Sequence, residues 1–275
     1  MLQDISPHKL INAYIDLKPQ DGDGIFRFDK EGRVLLGCEN GQILFADPSD
    51  LKDESAVYLF SIDDKRFFLS LAESEEKKVG FEYYGIREVR DRFSADSGLD
   101  VFAVFTAYHL WKWYSENKYC GRCGGKMAYG TKERSLICPE CKNTIYPRIN
   151  PAVIVGVING DSILLTRYRQ GYKHNALVAG FTEVGETLEG TVEREVMEET
   201  GLKVKNIRYY KSQPWGMAQD ILVGFFCDLD GNPEIHMDRD ELKYAEWVKR
   251  EDIIPQPNNL SLTNEMMMLF KAGKI

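Results

Sequence analysis

Gly180-Phe-Thr-Glu-Val-Gly-Glu186-Thr-Leu-Glu-Gly-Thr-Val-Glu-Arg194-Glu195-Val-Met-Glu198-Glu199-Thr-Gly201-Leu202 is the stretch around which the chain is organised. A glycine loop feeds about three turns of helix that stop at Gly201, a residue suited to a left-handed C-terminal cap. Successive helical residues turn by about 100°, so Glu195, Glu198 and Glu199 project from one side within one turn. Leu188, Val192 and Val196 recur every fourth residue and form the apolar seam. On the helical wheel Glu199 falls beside Val192 with Glu195 next to it, so the acids border the buried face. Three like charges at a core edge are unfavourable unless neutralised. A hard divalent cation, magnesium or manganese, is the simplest neutraliser for carboxylate oxygens. The competing reading is a solvated charged helix with Arg194 and Glu198 as an ordinary i, i+4 pair.

The full spacing decides between the two. Gly180, five residues, Glu186, seven residues, Arg194-Glu195, an apolar residue, one residue, Glu198-Glu199, one residue, Gly201 and an apolar residue resemble the complete Nudix box, with no defined position departing from it. The resemblance implies hydrolysis of a nucleoside diphosphate linked to another moiety, with metal ions held on the box helix.

At 275 residues, two domains are the natural expectation. No apolar run approaches the roughly 20 residues that span a bilayer, and Met1–Pro7 has no basic and apolar leader pattern, so a cytoplasmic protein without a membrane segment is expected. The net charge of −8 is unevenly placed: residues 112–148 carry eight basic and three acidic side chains, while the flanking segments are acidic. Such a chain should be repelled by nucleic acid apart from one basic island.

Up to about residue 95 the pattern is of short β-rich runs: Gly24–Phe28, Arg33–Gly37, Gln42–Phe45, Val57–Phe60 and Arg66–Leu69, separated by Asp-Gly, Glu-Gly and Asn-Gly turns. Nothing there has catalytic spacing. Residues 98–116 read as a helix apolar over most of its surface, whose aromatics serve a core better than a base-stacking platform. Cys120-Gly-Arg-Cys123 and Cys138-Pro-Glu-Cys141, fourteen residues apart, form the pattern of a four-thiolate zinc ribbon. Four cysteines close the coordination shell, so the zinc is structural, not catalytic. A disulfide pair is the lesser alternative.

Ala152–Ile158, an Asn159-Gly160 turn and Ser162–Thr166 read as a hairpin. Ala176–Ala179 leads into the box, and Lys205–Tyr210, Ile221–Cys227 and Ala245–Val248 are further strands. Leu262, Met266, Leu269 and Phe270 mark a closing amphipathic helix. Strands of both orientations around one central helix predict an α/β/α sandwich with a mixed sheet. Ser212-Gln213-Pro214-Trp215 is expected as a loop whose exposed Trp stacks on a flat base.

Zinc ribbon, Tyr146-Pro-Arg, box and Ser-Gln-Pro-Trp together resemble the NADH pyrophosphatases of the Nudix superfamily, from about Lys118 to the C-terminus. That subfamily usually continues Pro-Phe-Pro after the Trp; here the residues are Gly216-Met217-Ala218. The fold class implied is a multidomain α+β and α/β chain. A β-rich N-terminal domain ending in a linking helix would span 1–115, the zinc ribbon 116–147 and the Nudix sandwich 148–275. By the same resemblance the Ala179 carbonyl, Glu195, Glu199 and Glu241 bind magnesium or manganese with Glu198 close by, and Arg194 orients the box glutamates. Phe181 and Trp215 flank the nicotinamide. Tyr146, Glu133, Gln213, Pro214, Gln219, Thr263 and Arg90 match substrate-contacting positions. The implied reaction is cleavage of NADH or NAD+ to NMN(H) and AMP by a homodimer. Alternatives are removal of 5′-terminal NAD caps from RNA, with a path across Lys118, Arg122, Lys126, Lys132 and Arg134, and ADP-ribose pyrophosphatase activity. A non-enzyme alternative is a zinc-ribbon binding protein with an inactive Nudix domain.

Overall fold

The computed structural model describes residues 1–51, 55–72, 78–93, 97–169 and 174–275. The chain divides into two compact units, one of residues 2–148 with 216–218, the other of residues 149–215 and 219–275 with Met1.

The N-terminal unit contains β1 (Leu10–Ile11), β2 (Gly24–Phe26), β3 (Val34–Glu39), β4 (Gln42–Leu44), β5 (Ala56–Ile62), β6 (Lys65–Ser70) and β7 (Phe81–Tyr84). Helices α1 (Ile86–Phe93) and α2 (Gly98–Glu116) follow, then the ribbon strands β8 (Ala128–Tyr129), β9 (Leu136–Ile137) and β10 (Thr144–Ile145). They assemble as sheets β1-β5-β6-β2, β4-β3-β7 and β10-β9-β8. Each of the five β-rich runs meets a strand: Val57–Phe60 and Arg66–Leu69 lie within β5 and β6, while the other three extend one or two residues past β2, β3 and β4. Strand β7 and helix α1 were not expected; α1 begins at Ile86, one residue after Gly85. Helix α2 has the predicted bounds and buries Val101, Phe102, Val104, Phe105, Leu110 and Trp113, which accounts for its all-round apolarity.

The zinc ribbon is bolted into this unit by one cation. Arg134 donates to Asn12 Oδ1 at 3.0 Å and to the Leu59 carbonyl on β5, while Tyr14 Oη donates to the Gly130 carbonyl at 3.0 Å. Arg134 is therefore committed to the interior, which corrects its placement on a surface path for RNA.

The C-terminal unit contains β11 (Asn150–Asn159), β12 (Ser162–Tyr168), β13 (Val178–Phe181), α3 (Leu188–Thr200), β14 (Val204–Trp215), β15 (Asp220–Leu229), β16 (Leu242–Lys249) and α4 (Leu262–Lys271). The sheet order is β14-β15-β11-β12-β16, with β13 also paired to β11. Only β11–β15 is parallel among these pairings; the sheet is mixed. Strand β11 is buried on both faces and so reads as a continuous apolar run instead of an alternating one. Val153, Val155 and Val157 pack with Val192 and Val196 of α3, whereas Ile154 packs with Leu262, Met266, Met267 and Phe270 of α4. Burying each such side chain stabilises the unit by about 1.5–3 kcal/mol. The result is the expected α/β/α sandwich.

Two boundaries differ from expectation. The β11–β12 turn is Gly160-Asp161, one residue later than predicted, because Asn159 still pairs with Ser162. Ser212–Trp215 is the end of β14, not a loop: Trp215 pairs with Asp220 and the turn is left to residues 216–219. Pro214 is tolerated because β14 is an edge strand.

Candidate active site

Helix α3 is set up locally. Thr187 Oγ1 accepts from the Gly190 N–H at 3.1 Å at its start, and Gly201 ends it at φ 69° with its N–H bonded to the Met197 carbonyl at 2.8 Å. Two remaining C-terminal carbonyls are satisfied from outside the helix. The Asp238 N–H reaches the Glu199 carbonyl at 2.9 Å, and the His236 N–H reaches Thr200 at 2.8 Å. This docking draws residues 236–242 alongside the helix, and brings the charge of Glu241 to bear on Glu195 and Glu199 despite its distance in sequence.

Glu199 is 2 % exposed. Burial pushes its carboxyl up to about 8, with the charges of Glu195 and Glu241 adding to the effect, while hydrogen bonds from Tyr168 and the Ala179 N–H oppose it. Glu195 is likewise raised by burial, against the pull of Arg194. The glycine opening the box has a specific reason: a Cβ at residue 180 would sit 1.9 Å from Glu195 Cδ.

Arg194 gathers the acids. Its Nε and Nη2 donate to the two oxygens of Glu186 at 2.6 and 2.9 Å. Nη1 donates to Glu195 at 2.7 Å and Glu198 at 2.9 Å, and Nη2 to the Phe181 carbonyl at 2.9 Å. Glu186 also accepts from Thr191 Oγ1 and the Glu183 N–H, so it ties the glycine loop to the helix. Arg194 holds its carboxyl down at about 2. Glu186 had no assigned role in the sequence reading beyond its place in the box.

Of the other candidate residues in this unit, Phe181 ends β13 and is 53 % exposed, Pro214 is exposed, and Trp215 is half-buried where an exposed ring was expected. Gln213 is buried, its amide donating to the Leu260 carbonyl at 2.8 Å and accepting from the Leu262 N–H at 2.7 Å. Its side chain thus holds the entry to α4, whose first turn carries Thr263. Gln219 is buried at φ 63° and its carbonyl accepts from the Asn150 N–H at 2.8 Å. Arg90, Glu133 and Tyr146 lie in the N-terminal unit. There Tyr146 Oη donates to Glu133 Oε1 at 2.8 Å, and Arg90 pairs with Asp91. Sequence reasoning missed Tyr168, whose hydroxyl lies 3.0 Å from Glu199 Oε1. A lone tyrosine at a strand end carries no spacing signal.

The four ribbon cysteines bring their sulfurs within 4.8 Å of one another, with Cys120–Cys141 at 3.6 Å and Cys123–Cys138 at 3.4 Å. Sulfurs about 2.3 Å from a tetrahedral zinc stand about 3.8 Å apart, so the quartet fits that ion. Backbone N–H groups of Arg122 and Cys123 lower the Cys120 thiol to about 6. Gly124 and Lys142, both at positive φ, make the tight turn after each knuckle. Among the described residues no other group of three or more His, Cys, Asp or Glu converges so closely; Arg194 draws Glu195 and Glu198 towards itself.

A family profile described as the NUDIX domain matches residues 148–269, and one described as the NADH pyrophosphatase zinc ribbon domain matches residues 115–146. The NAD-capped RNA hydrolase NudC of two Escherichia coli strains is 42% identical over 178 residues, covering 63% of this chain and 68% of each relative. The chain is a Nudix hydrolase carrying an NADH pyrophosphatase zinc ribbon. Among solved structures, a Nudix hydrolase from Nitrosomonas europaea is similar at 24% identity and TM-score 0.44, over 50% of this chain and 80% of that one. As a member of this hydrolase family the chain is an enzyme, which sets aside the reading as a zinc-binding protein with an inactive domain. Among the described residues, no helix is long and apolar enough to cross a membrane.

Proposed function

We propose that this Nudix hydrolase cleaves the pyrophosphate bond of NADH and NAD+, releasing NMN(H) and AMP. The observation that carries the reading is the meeting of buried Glu199, Glu195 and the backbone of Ala179 at the junction of β13 and α3. The donors are all hard oxygens, crowded in low dielectric with mutually raising charges, which fits magnesium or manganese. The Ala179 carbonyl, Glu195, Glu199 and Glu241, with Glu198 nearby, would hold the cation. When bound it offsets phosphate charge and lowers the pKa of a water directed at phosphorus. Arg194 keeps the carboxylates aimed. Glu198, 60 % exposed, or Glu241 takes the proton from the attacking water. Phe181 and Trp215 flank the nicotinamide, and Tyr146, Glu133, Arg90, Pro214, Gln219 and Thr263 contribute to substrate binding. The homodimer is carried over from the resemblance. Four of the six cysteines form the zinc quartet, a use of thiols that suits the reducing cytoplasm in which we place the enzyme. NMN and AMP release measured with Mg2+ and Mn2+ tests the reading; a Glu199→Gln variant as fast as the parent overturns it.

The likeness to the NAD-capped RNA hydrolases of Escherichia coli favours a second substrate, RNA bearing a 5′-terminal NAD. Lys118, Arg122, Lys126 and Lys132 are exposed on the ribbon. Phosphate contacts by these side chains predict a kcat/KM for capped RNA that falls with salt more steeply than that for free NADH. Equal salt dependence removes the proposed RNA path. ADP-ribose belongs in the same screen.

A further inference from the structure

Strand β12 ends at Tyr168, where its pairing with β16 shifts register between Arg167 and Tyr168. The hydroxyl lies between two groups from two other elements. It stands 3.0 and 3.4 Å from the two carboxylate oxygens of Glu199 on α3, and 3.3 Å from the Ala179 carbonyl on β13. The Ala179 N–H donates to it at 3.2 Å. A phenol has one proton to give and accepts through its lone pairs. With Ala179 N–H as the incoming donor, the proton goes to the nearer acceptor, Glu199 Oε1 at 3.0 Å.

We propose that Tyr168 is a positioning residue that sets the divalent-cation affinity of the site, by fixing Glu199 against the Ala179 backbone. The proposal rests on the metal-dependent reading above and deepens it. A β-strand end, a second strand and the box helix meet at this hydroxyl, so a single group determines the spacing of two oxygen donors that are 20 residues apart in sequence. It also occupies one side of the Glu199 carboxylate, leaving the remaining lone pairs for a cation. Outer hydrogen bonds of this kind change metal affinity by about 10–100-fold.

The test uses the zinc-loaded full chain and Mn2+ as probe. Direct titration of Tyr168→Phe, with near-UV circular dichroism to verify packing, should show a Mn2+ Kd raised by about 10-fold or more. The Mn2+ concentration for half-maximal activity should rise in parallel, and saturating Mn2+ should restore kcat, which a packing defect would not allow. Replacing Tyr168 by 4-aminophenylalanine, which keeps a donor at the same place on the ring, should restore most of the affinity. A Tyr168→Phe affinity within twofold of the parent overturns the proposal, as does a 4-aminophenylalanine protein as weak as Tyr168→Phe. Glu199→Gln separates the two readings. If it weakens Mn2+ binding while Tyr168→Phe does not, only the role of Tyr168 falls. If Glu199→Gln binds Mn2+ as the parent does, the metal site itself falls.

Discussion

The carboxylate of Glu195 fills the space that any side chain at residue 180 would need: a Cβ on Gly180 would lie 1.9 Å from Glu195 Cδ and about as close to both oxygens. Gly180→Ala must therefore push Glu195 off Arg194 while leaving the core valines of α3 untouched. We expect kcat/KM to fall on the order of 100-fold, the usual consequence of misplacing a catalytic group by about 1 Å. The thermal midpoint should stay within a few degrees, and steady-state kinetics beside a melting curve verify both.

Cys138 is fully buried within the quartet, with its sulfur 3.4 Å from that of Cys123. Cys138→Ser should abolish stoichiometric zinc, read by elemental analysis. Structural zinc sites couple on the order of 10 kcal/mol of binding to folding. Because Arg134 ties the ribbon to Asn12 and to β5, loss of zinc should expose the strands of the N-terminal unit as well, seen as faster amide exchange at residues 56–62.

His109 of α2 donates from Nε2 to the Arg148 carbonyl at 2.8 Å. Burial keeps its imidazole below the usual pKa, helped by the charges of Arg148 and Lys112 and opposed by that hydrogen bond. The folded protein thus binds this proton less readily than the unfolded chain, which protonates near 6.5. Its contribution to stability is present above about pH 6.5 and is lost as pH falls through the lower folded value. His109→Gln, which keeps a donor, should flatten that part of a melting-temperature profile between pH 7 and 5.

Gly216 packs against α2 so closely that a Cβ would lie 2.1 Å from the Phe105 carbonyl oxygen. The proline that resembling enzymes carry here has no room at this approach. Gly216→Ala should cost about 1–3 kcal/mol, as overpacking does, measured by urea unfolding.

Much of this was legible because it is local. The box helix, its apolar seam and its stop at Gly201 depend on residues within one or two turns, and both Cys-x-x-Cys knuckles are self-contained. Helix α2 was readable from its length and apolarity. Strand β7 was missed because its four residues, Phe81–Tyr84, become a strand only by pairing with β3. The end of β14 was read as a loop because Pro214 looks like a breaker, and only the edge position in the sheet makes it harmless. Arg134 looked like surface charge until its partners, Asn12 and Leu59, were in place.

Taken alone, the order of residues determined the reaction class, the zinc ligands and the sandwich architecture, since each rests on short periodic patterns whose physics is contained in one element. Tertiary structure decided which groups meet across elements. Residues 236–238 cap the box helix and bring Glu241 to it. Gly180 yields its side-chain space to Glu195. Tyr168, distant in sequence from Glu199, reaches its carboxylate. Those meetings depend on strand register and on carbonyls left unsatisfied at a helix end, quantities that no spacing along the chain encodes.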